Sequence, residues 1–300
     1  MEEKKRIYAL GFFDGVHVGH QVLLRRCREL ARQFGCESAA ITFDAHPQSL
    51  FSKDPPALLG TVQDRLRLLR HYGMDRIDCF PVTKEVMSTP WEDFLEMLLS
   101  AGAAGFVCGY DFHFGFRGEG TAEKLEEFCR RRCLPCVIIP EQTLKGQRIS
   151  STLIRGLIEQ GRMDCAVSFL GHPHMLTGTV RHGQQLGRRL GIPTANLVIP
   201  GGVVVPKFGV YACRAVIGEK SWPAVANVGI RPTVSGSGIT VEPWILDYSG
   251  DLYDREITLE IHKFLREETK FPDLSALQQQ IRLDAEQTRH YFETCQKIGS

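Results

Sequence analysis

The segment GFFDGVHVGH, residues 11–20, places three glycines, one aspartate and two histidines within ten positions. It follows a short apolar run at residues 7–10 and precedes a stretch with helical periodicity. Two histidines three residues apart could bind a metal ion or a phosphate. Metal-binding helices typically space two histidines four apart with a glutamate between them, whereas Val18 and Gly19 intervene here. Imidazoles and backbone N–H groups at a helix N-terminus suit phosphate oxygens. The segment therefore favours a phosphate site over a metal site or two ordinary surface histidines.

Strand-like and helical patterns alternate through the first half of the chain. The predicted strands cover residues 6–13, 39–43, 76–81, 104–108 and 136–140. The predicted helices cover residues 18–34, 62–72, 91–101 and 121–132. This alternation indicates an α/β fold with a parallel sheet covered on both faces, and ligands of such sheets bind beyond the carboxyl ends of the strands. Residues 11–20 and the segment GYDFHFG, residues 109–115, both follow predicted strands, so both are expected at that edge.

The pattern changes near residue 172, where short β-rich runs separated by glycine and proline begin. These runs cover residues 176–181, 194–198, 209–217, 222–228, 240–247 and 256–262. Their spacing predicts an all-β antiparallel barrel or sandwich, and an amphipathic helix over 274–296 closes the chain. We therefore expect two domains, residues 1–171 and residues 172–300.

Composition limits the classes of partner. A net charge of +1 argues against nucleic acid and anionic membranes as partners. The N-terminus lacks the apolar core of a signal peptide, and no apolar run approaches the roughly 18 residues that span a bilayer. We expect a cytoplasmic protein.

The ten cysteines do not indicate a disulfide framework, because the chain is neither small nor visibly secreted. Cys129, Cys133 and Cys136 form a sequence cluster without a fourth ligand or a second pair, unlike most zinc sites. We expect them to be structural thiols rather than a redox or metal centre.

The segment GTVRHGQQLGRRLGIPTANL, residues 178–197, has features of a second phosphate site. Gly183 and Gly187 permit a flexible loop that can close over phosphates, and Arg188 gives that loop a cation. Thr194 and Asn196 lie two apart on a predicted strand and so share one face. Their hydroxyl and amide oxygens are hard ligands of the kind that Mg²⁺ prefers, which predicts a metal site at these two residues.

Four segments of the first half resemble the HxGH nucleotidyltransferases and, in their extended form, the prokaryotic bifunctional riboflavin kinase/FMN adenylyltransferases. They are GFFDGVHVGH (11–20), TFDAHP (42–47), GYDFHFG (109–115) and ISSTLIR (149–155). The resemblance implies a Rossmann-like domain in which FMN attacks the α-phosphorus of ATP and in which His17 and His20 are catalytic. It also implies ATP or phosphate contacts from Gly11, Phe13, Asp14, Gly19, Ser151, Thr152 and Arg155. Asp111 is a candidate flavin or adenosine contact and Phe112 a candidate flavin contact, while ISSTLIR also suits an ordinary helix N-terminus.

The second half resembles the riboflavin kinase part of the same family. The matching segments are residues 178–197, PKFGVYA (206–212), ANVGIRPT (226–233), TVEPWILD (240–247) and LREETKF (265–271). The resemblance implies an antiparallel kinase barrel with a terminal helix, in which Glu242 accepts the proton of the riboflavin 5′-hydroxyl and Arg266 lies near the flavin. It implies ATP contacts from Gly183, Gly187, Arg188, Thr194 and Asn196. The expected partners are the small molecules riboflavin, FMN, FAD and ATP, with Mg²⁺ as cofactor.

The sequence departs from the family pattern in places. Gln184-Gln185-Leu186 replaces charged residues of the phosphate loop, and Asp254 stands where glycine is frequent, although aspartate tolerates a left-handed turn. Three alternatives remain open: a riboflavin kinase with a weak or inactive adenylyltransferase half, a flavin-sensing regulator, and a metal-binding module. The sequence does not decide the oligomeric state.

Overall fold

The computed structural model describes residues 4–182, 192–233 and 236–298, except for the side chains of 231–233, 236–237 and 295–298. The chain forms two compact units, Met1–Leu58 with Val62–Ser151 and Leu59–Thr61 with Thr152–Ser300. In the described part of the chain, no helix is both long enough and apolar enough to cross a membrane.

The first unit combines strands and helices in alternation. Its strands are β1 (Arg6–Leu10), β2 (Glu37–Phe43), β3 (Arg76–Phe80), β4 (Ala103–Gly109), β5 (His113–Phe114), β6 (Gly120–Thr121), β7 (Cys136–Ile139), β8 (Thr143–Leu144) and β9 (Gln147–Arg148). Its helices are α1 (Val18–Gln33), α2 (Val62–His71), α3 (Lys84–Met87), α4 (Trp91–Ser100) and α5 (Ala122–Arg131). The four predicted helices are all present, each within one residue of its predicted ends.

Five of these strands form a parallel sheet in the order β3–β2–β1–β4–β7, which confirms the Rossmann-like prediction. The chain runs outward from β1 to β3 and then returns to the other side of β1, so β1 and β4 flank the point where the strand order reverses. Ligands of open α/β sheets bind at such a point. The loops after β1 and β4 both leave from it, since Leu10 pairs with Cys108 near the ends of these strands.

The centre of the sheet is apolar on both faces, as expected where helices cover both sides. All five residues of β1 are buried, and the apolar face of α1, which includes Leu24 and Cys27, packs against β1, β2 and β4. The predicted first strand, 6–13, ends earlier in the structure, at Leu10. The physical reason is Phe13, whose φ of 58° turns the chain out of the extended conformation.

The second unit is a closed barrel. It contains helix α6 (Ser151–Glu159) from Thr152 onward, helix α7 (Met163–Leu170), strands β10 (His174–Arg181), β11 (Asn196–Val198), β12 (Gly209–Ile217), β13 (Lys220–Thr233), β14 (Gly236–Ile245) and β15 (Glu256–Arg266), and helix α8 (Leu274–Ile298). The six strands close antiparallel in the order β10–β11–β14–β13–β12–β15. The structure thus decides for a barrel, one of the two predicted architectures.

Helix α8 is the terminal helix predicted from the sequence, and it packs against β12 and β13. An ion pair fastens it to the end of β15. Nε and Nη2 of Arg266 donate to the carboxylate of Asp284 at 2.8–3.2 Å, and Asp284 is 1% exposed. Asp254 adopts the left-handed conformation expected from its glycine-like position, with a φ of 60°.

Candidate functional site

The loop between β1 and α1 is a tight turn built on buried residues. Phe13 is fully buried, and its carbonyl oxygen accepts a hydrogen bond from the backbone N–H of Val16 at 3.1 Å. Gly15 and Val16 also have positive φ values, 69° and 40°. Such a conformation costs about 1–2 kcal/mol for a residue with a side chain and persists mainly at functional sites. Gly11 makes room for the turn, because a Cβ atom there would lie 3.0 Å from the Phe13 ring.

His17 and His20 are stacked at the N-terminus of α1. Their ring centroids lie 3.6 Å apart with an interplanar angle of 11°. His17 is the N-cap residue, and its Nδ1 accepts a hydrogen bond from the His20 backbone N–H at 3.3 Å. An accepting Nδ1 assigns the proton of the neutral His17 ring to Nε2, which is then a donor. A Cβ atom on Gly19 would lie 3.3 Å from two His17 ring atoms, so glycine permits this close packing.

The His20 imidazole is held in its neutral form. Burial lowers the pKa of His20 well below its ordinary value, and electrostatic repulsion from Arg65, and from His17 when that ring is protonated, lowers it further. Its Nδ1 atom is buried and has no hydrogen-bond partner within the described chain. A buried polar atom left without a partner costs about 1–3 kcal/mol. The geometry therefore suits a ligand with polar oxygens bound beside the stacked rings.

The site contains a cation that the sequence analysis missed. Arg65, on α2, is 3% exposed, and its guanidinium lies 4.2 Å from the centre of the Phe12 ring. Its Nη1 donates to the carbonyl oxygens of Phe12 and Phe43 and to the Thr42 hydroxyl at 3.0–3.1 Å. Burial lowers the pKa of Arg65, an effect opposed chiefly by the negative charge of Asp14. One signal was available, because Arg65 shares the buried helix face of Leu68 and Leu69.

Two further sequence-predicted groups lie in the first unit. Asp14 is buried, and its carbonyl oxygen accepts a hydrogen bond from Ser151 Oγ at 3.2 Å, so Ser151 contacts the β1–α1 turn. In the loop after β4, Asp111 is exposed and pairs with Arg148 at 2.5 Å, while the Phe112 ring stacks on Phe114 with centroids 5.5 Å apart. The sequence analysis did not single out Arg148, an isolated arginine at the end of the β8–β9 hairpin.

Thr152 and Arg155 belong to the second unit. Arg155 Nη2 donates to Thr152 Oγ1 at 3.2 Å, so these neighbouring residues on α6 interact with each other. Their assignment to ATP phosphates stays a prediction.

The barrel places three of the residues predicted for the second phosphate site, Thr194, Asn196 and Glu242, on one surface. Glu242 on β14 pairs with Asn227 on β13. On the other side of β14, Leu197 pairs with Val241 and Thr194 with Trp244. This antiparallel register places Asn196 opposite Glu242, so Asn196, Glu242 and Asn227 form a row across three neighbouring strands, with Thr194 two residues along.

Asn227 adds a feature that the sequence analysis did not assign. Its side-chain amide donates to Glu268 Oε1 at 2.9 Å, which ties the row to the segment after β15. Thr194 is exposed and Asn196 is half-buried, and the register places both on the face of the barrel that carries Glu242. This donor set fits Mg²⁺, which favours oxygen ligands and keeps several waters.

Other predicted residues are not assembled into these sites. Gly183, Gly187 and Arg188 lie outside the described residues. Arg266 directs Nε and Nη2 to Asp284, and its Nη1 donates to the Glu267 carbonyl oxygen at 3.1 Å, so its flavin contact stays a prediction. Within the described ranges, no group of three histidine, cysteine or acidic side chains could hold a metal ion.

Comparisons with known proteins identify the family of both parts of the chain. Residues 1–153 match the family model for FAD synthetase, and residues 170–292 match the model for riboflavin kinase. A bifunctional riboflavin kinase/FMN adenylyltransferase of Pseudomonas fluorescens is 36% identical over 96% of this chain and 93% of its own length. One from Listeria monocytogenes is 31% identical over 96% of this chain and 92% of its own length. The chain belongs to the bifunctional riboflavin kinase/FMN adenylyltransferase family.

The overall similarity to solved structures extends over the same length. A crystal structure from Streptococcus pneumoniae, described as a macrolide-efflux protein, superposes with a TM-score of 0.86 at 30% identity and covers 96% of this chain and 95% of its own. The description as an efflux protein belongs to the Streptococcus pneumoniae structure alone. Within the bifunctional family, the FAD synthetase model matches the parallel-sheet part of the chain and the riboflavin kinase model matches the barrel part, so the resemblance found in the sequence is confirmed.

Proposed function

We propose that the two activities of this family divide between the two units of the chain. The second unit transfers the γ-phosphoryl group of ATP to riboflavin and forms FMN and ADP. The first unit transfers the adenylyl group of ATP to FMN and forms FAD and pyrophosphate. The assignment is supported by the stacking of His17 and His20 at the start of α1 and by the register that aligns Asn196 with Glu242 on the barrel.

In the first unit, an FMN phosphate oxygen attacks the α-phosphorus of ATP, and the bond from that phosphorus to the oxygen shared with the β-phosphate breaks. No covalent enzyme intermediate is required, so the protein contributes position and charge stabilisation. His17 donates from Nε2, neutral His20 donates from Nδ1 in the tautomer that carries its proton there, and the N-terminal N–H groups of α1 add their dipole. These groups stabilise the negative charge that develops on the departing pyrophosphate.

The remaining first-unit assignments rest on resemblance. Ser151 contacts the ATP phosphates, and Asp111 with Phe112 contacts the flavin or the adenosine. Ser151 is supported by its hydrogen bond to Asp14. The Arg148 side chain already pairs with Asp111, so a ligand that binds Asp111 competes with this exposed ion pair, which costs about 1 kcal/mol or less.

In the second unit, the riboflavin 5′-hydroxyl attacks the γ-phosphorus of ATP and ADP leaves. Glu242 accepts the hydroxyl proton, a task for which a carboxylate within hydrogen-bond reach is suited. Thr194 and Asn196 hold Mg²⁺, which when bound neutralises phosphate charge. The register supports this division of roles, because it places Asn196 directly beside Glu242 on the neighbouring strand.

Two variants separate the activities. The full chain is supplied with ATP, Mg²⁺ and either riboflavin or FMN, and FMN and FAD are quantified separately by chromatography. His20→Ala should form FMN normally and lower the rate of FAD formation about 100-fold, a typical loss for one group that stabilises charge in the transition state. Glu242→Gln should lower FMN formation about 100-fold and still convert supplied FMN to FAD. Wild-type chain that forms neither product overturns the proposal.

A further inference from the structure

Arg65 connects the β1–α1 turn to the end of β2, at the sheet edge that we assign to adenylyl transfer. Phe12 precedes the turn that leads to His17 and His20, and Phe43 is the last residue of β2. One guanidinium nitrogen, Nη1, donates to the carbonyl oxygens of both and to the hydroxyl of Thr42. That hydroxyl itself donates to the Phe12 carbonyl oxygen at 2.8 Å. The β1–α1 turn is therefore fastened to the end of β2 through a single arginine.

Arg65 lies where burial opposes its charge. Burial lowers its pKa, the negative charge of Asp14 is the chief opposing effect, and its Nη2 atom is buried without a hydrogen-bond partner in the described part of the chain. A neutral donor could bridge three oxygen acceptors at a smaller desolvation cost than a buried cation. Its electrostatic effect reaches His20, the catalytic candidate. A buried cation beside two imidazoles suits a site that receives a polyphosphate.

We propose that Arg65 is a positioning residue for adenylyl transfer, which fixes the turn carrying His17 and His20 against the anionic phosphates of ATP. The inference rests on the proposed function of the first unit. It differs from a purely structural role in one respect, because the effect of Arg65 on the reaction passes through the histidines. Loss of Arg65 then matters less once His20 has been removed.

The test compares Arg65→Lys, His20→Ala and the double variant, with Arg67→Lys as a matched control. Arg67 lies on the same helix, is half exposed and pairs with Asp64 at 3.4 Å. Arg65→Met removes the charge and is the stronger perturbation of the same site. If Arg65→Met does not fold, Arg65→Lys still tests the inference because it keeps the charge. FAD formation from supplied FMN is measured over a range of ATP concentrations for each full-length variant, and near-ultraviolet circular dichroism monitors the fold.

We expect Arg65→Lys to lower kcat for FAD formation about tenfold, with the KM for ATP changed less than about twofold, because misplacement of the histidines weakens transition-state contacts most. Arg67→Lys should match wild type. The double variant should be less than threefold slower than His20→Ala alone. Arg65→Lys with wild-type kcat, or a double variant that shows the full product of both losses, overturns the inference. Absence of FAD formation by the wild-type chain would instead refute the proposed function of the first unit.

Discussion

Asp284→Asn tests how the terminal helix is held on the kinase barrel. The Asp284 carboxylate is 1% exposed and accepts hydrogen bonds from Nε and Nη2 of Arg266 and from Gln280 Nε2 at 3.0 Å. Asparagine has nearly the same shape, but its amide nitrogen would face a donor and its charge is absent. The substitution therefore removes the ion pair and leaves the arginine cation without its partner.

The size of the effect follows from burial. Removal of one partner from a buried ion pair costs about 3–5 kcal/mol. The Arg266 side chain is 21% exposed, so water can partly solvate the orphaned guanidinium, and we expect the lower end, about 3 kcal/mol in the free energy of unfolding of the second unit. Asp247→Asn is the matched control. Asp247 pairs with Arg289 of the same helix at 3.0 Å, but these side chains are 70% and 42% exposed, so its loss should cost less than about 1 kcal/mol.

Urea unfolding followed by tryptophan fluorescence measures this difference. The chain has three tryptophans, and in a Trp91→Phe background the remaining two, Trp222 and Trp244, lie on β13 and β14 and report on the barrel. Activity is measured without that background change. FMN formation at 37 °C should fall in Asp284→Asn, while FAD formation from supplied FMN stays at the wild-type rate. Equal unfolding free energies for Asp284→Asn and Asp247→Asn would refute the reasoning.

Two further predictions concern the first unit. Gly19→Ala should lower FAD formation about tenfold without affecting FMN formation, because the new Cβ would press on the His17 ring from 3.3 Å; an unchanged rate in the chromatographic assay would show that the ring can shift freely. The lowered pKa of His20 means that the unfolded chain binds a proton more readily than the folded chain. The first unit should therefore lose stability as the pH falls below about 6.5, by at most about 1.4 kcal/mol per pH unit from this group. Urea unfolding at pH 7 and pH 5.5 should show a smaller pH difference in His20→Gln than in wild type, and an identical difference would contradict the assignment.

The elements of the first unit were predictable because each one has a periodic signal of its own. The buried run of β1 and the apolar face of α1 can be read from five to sixteen residues without tertiary information. The end of β1 was predicted three residues too late. The sequence FF continues an apolar strand pattern, and only the packing of Phe13 beneath the turn forces its positive φ.

The row of Asn196, Glu242 and Asn227 on the barrel was predictable only in part. The spacing of Thr194 and Asn196 fixes their shared face, but their position beside Glu242 depends on the register between β11 and β14, which local sequence does not encode. Arg65 was missed for a related reason. Its role depends on hydrogen bonds to the backbone carbonyl groups of Phe12, after β1, and Phe43, at the end of β2. Every residue has a backbone carbonyl, so the sequence does not show which ones a side chain contacts. The role predicted for Arg266 likewise could not take account of Asp284, eighteen residues further along the chain.

The border between the domains also depends on tertiary contacts that local sequence does not encode. The change of sequence pattern predicts a border at 171/172, and the riboflavin kinase model begins close by, at residue 170. The compact units instead divide at Ser151 and Thr152. Helix α7 packs against β10 and β15, and the backbone N–H of Lys207 donates to the Ile158 carbonyl oxygen at 3.2 Å. A pattern records where strands begin, whereas stability depends on which surfaces are covered. A barrel excised at residue 172 would therefore expose the surface that α7 covers, and we propose that the kinase unit requires the chain from residue 152 onward to fold alone.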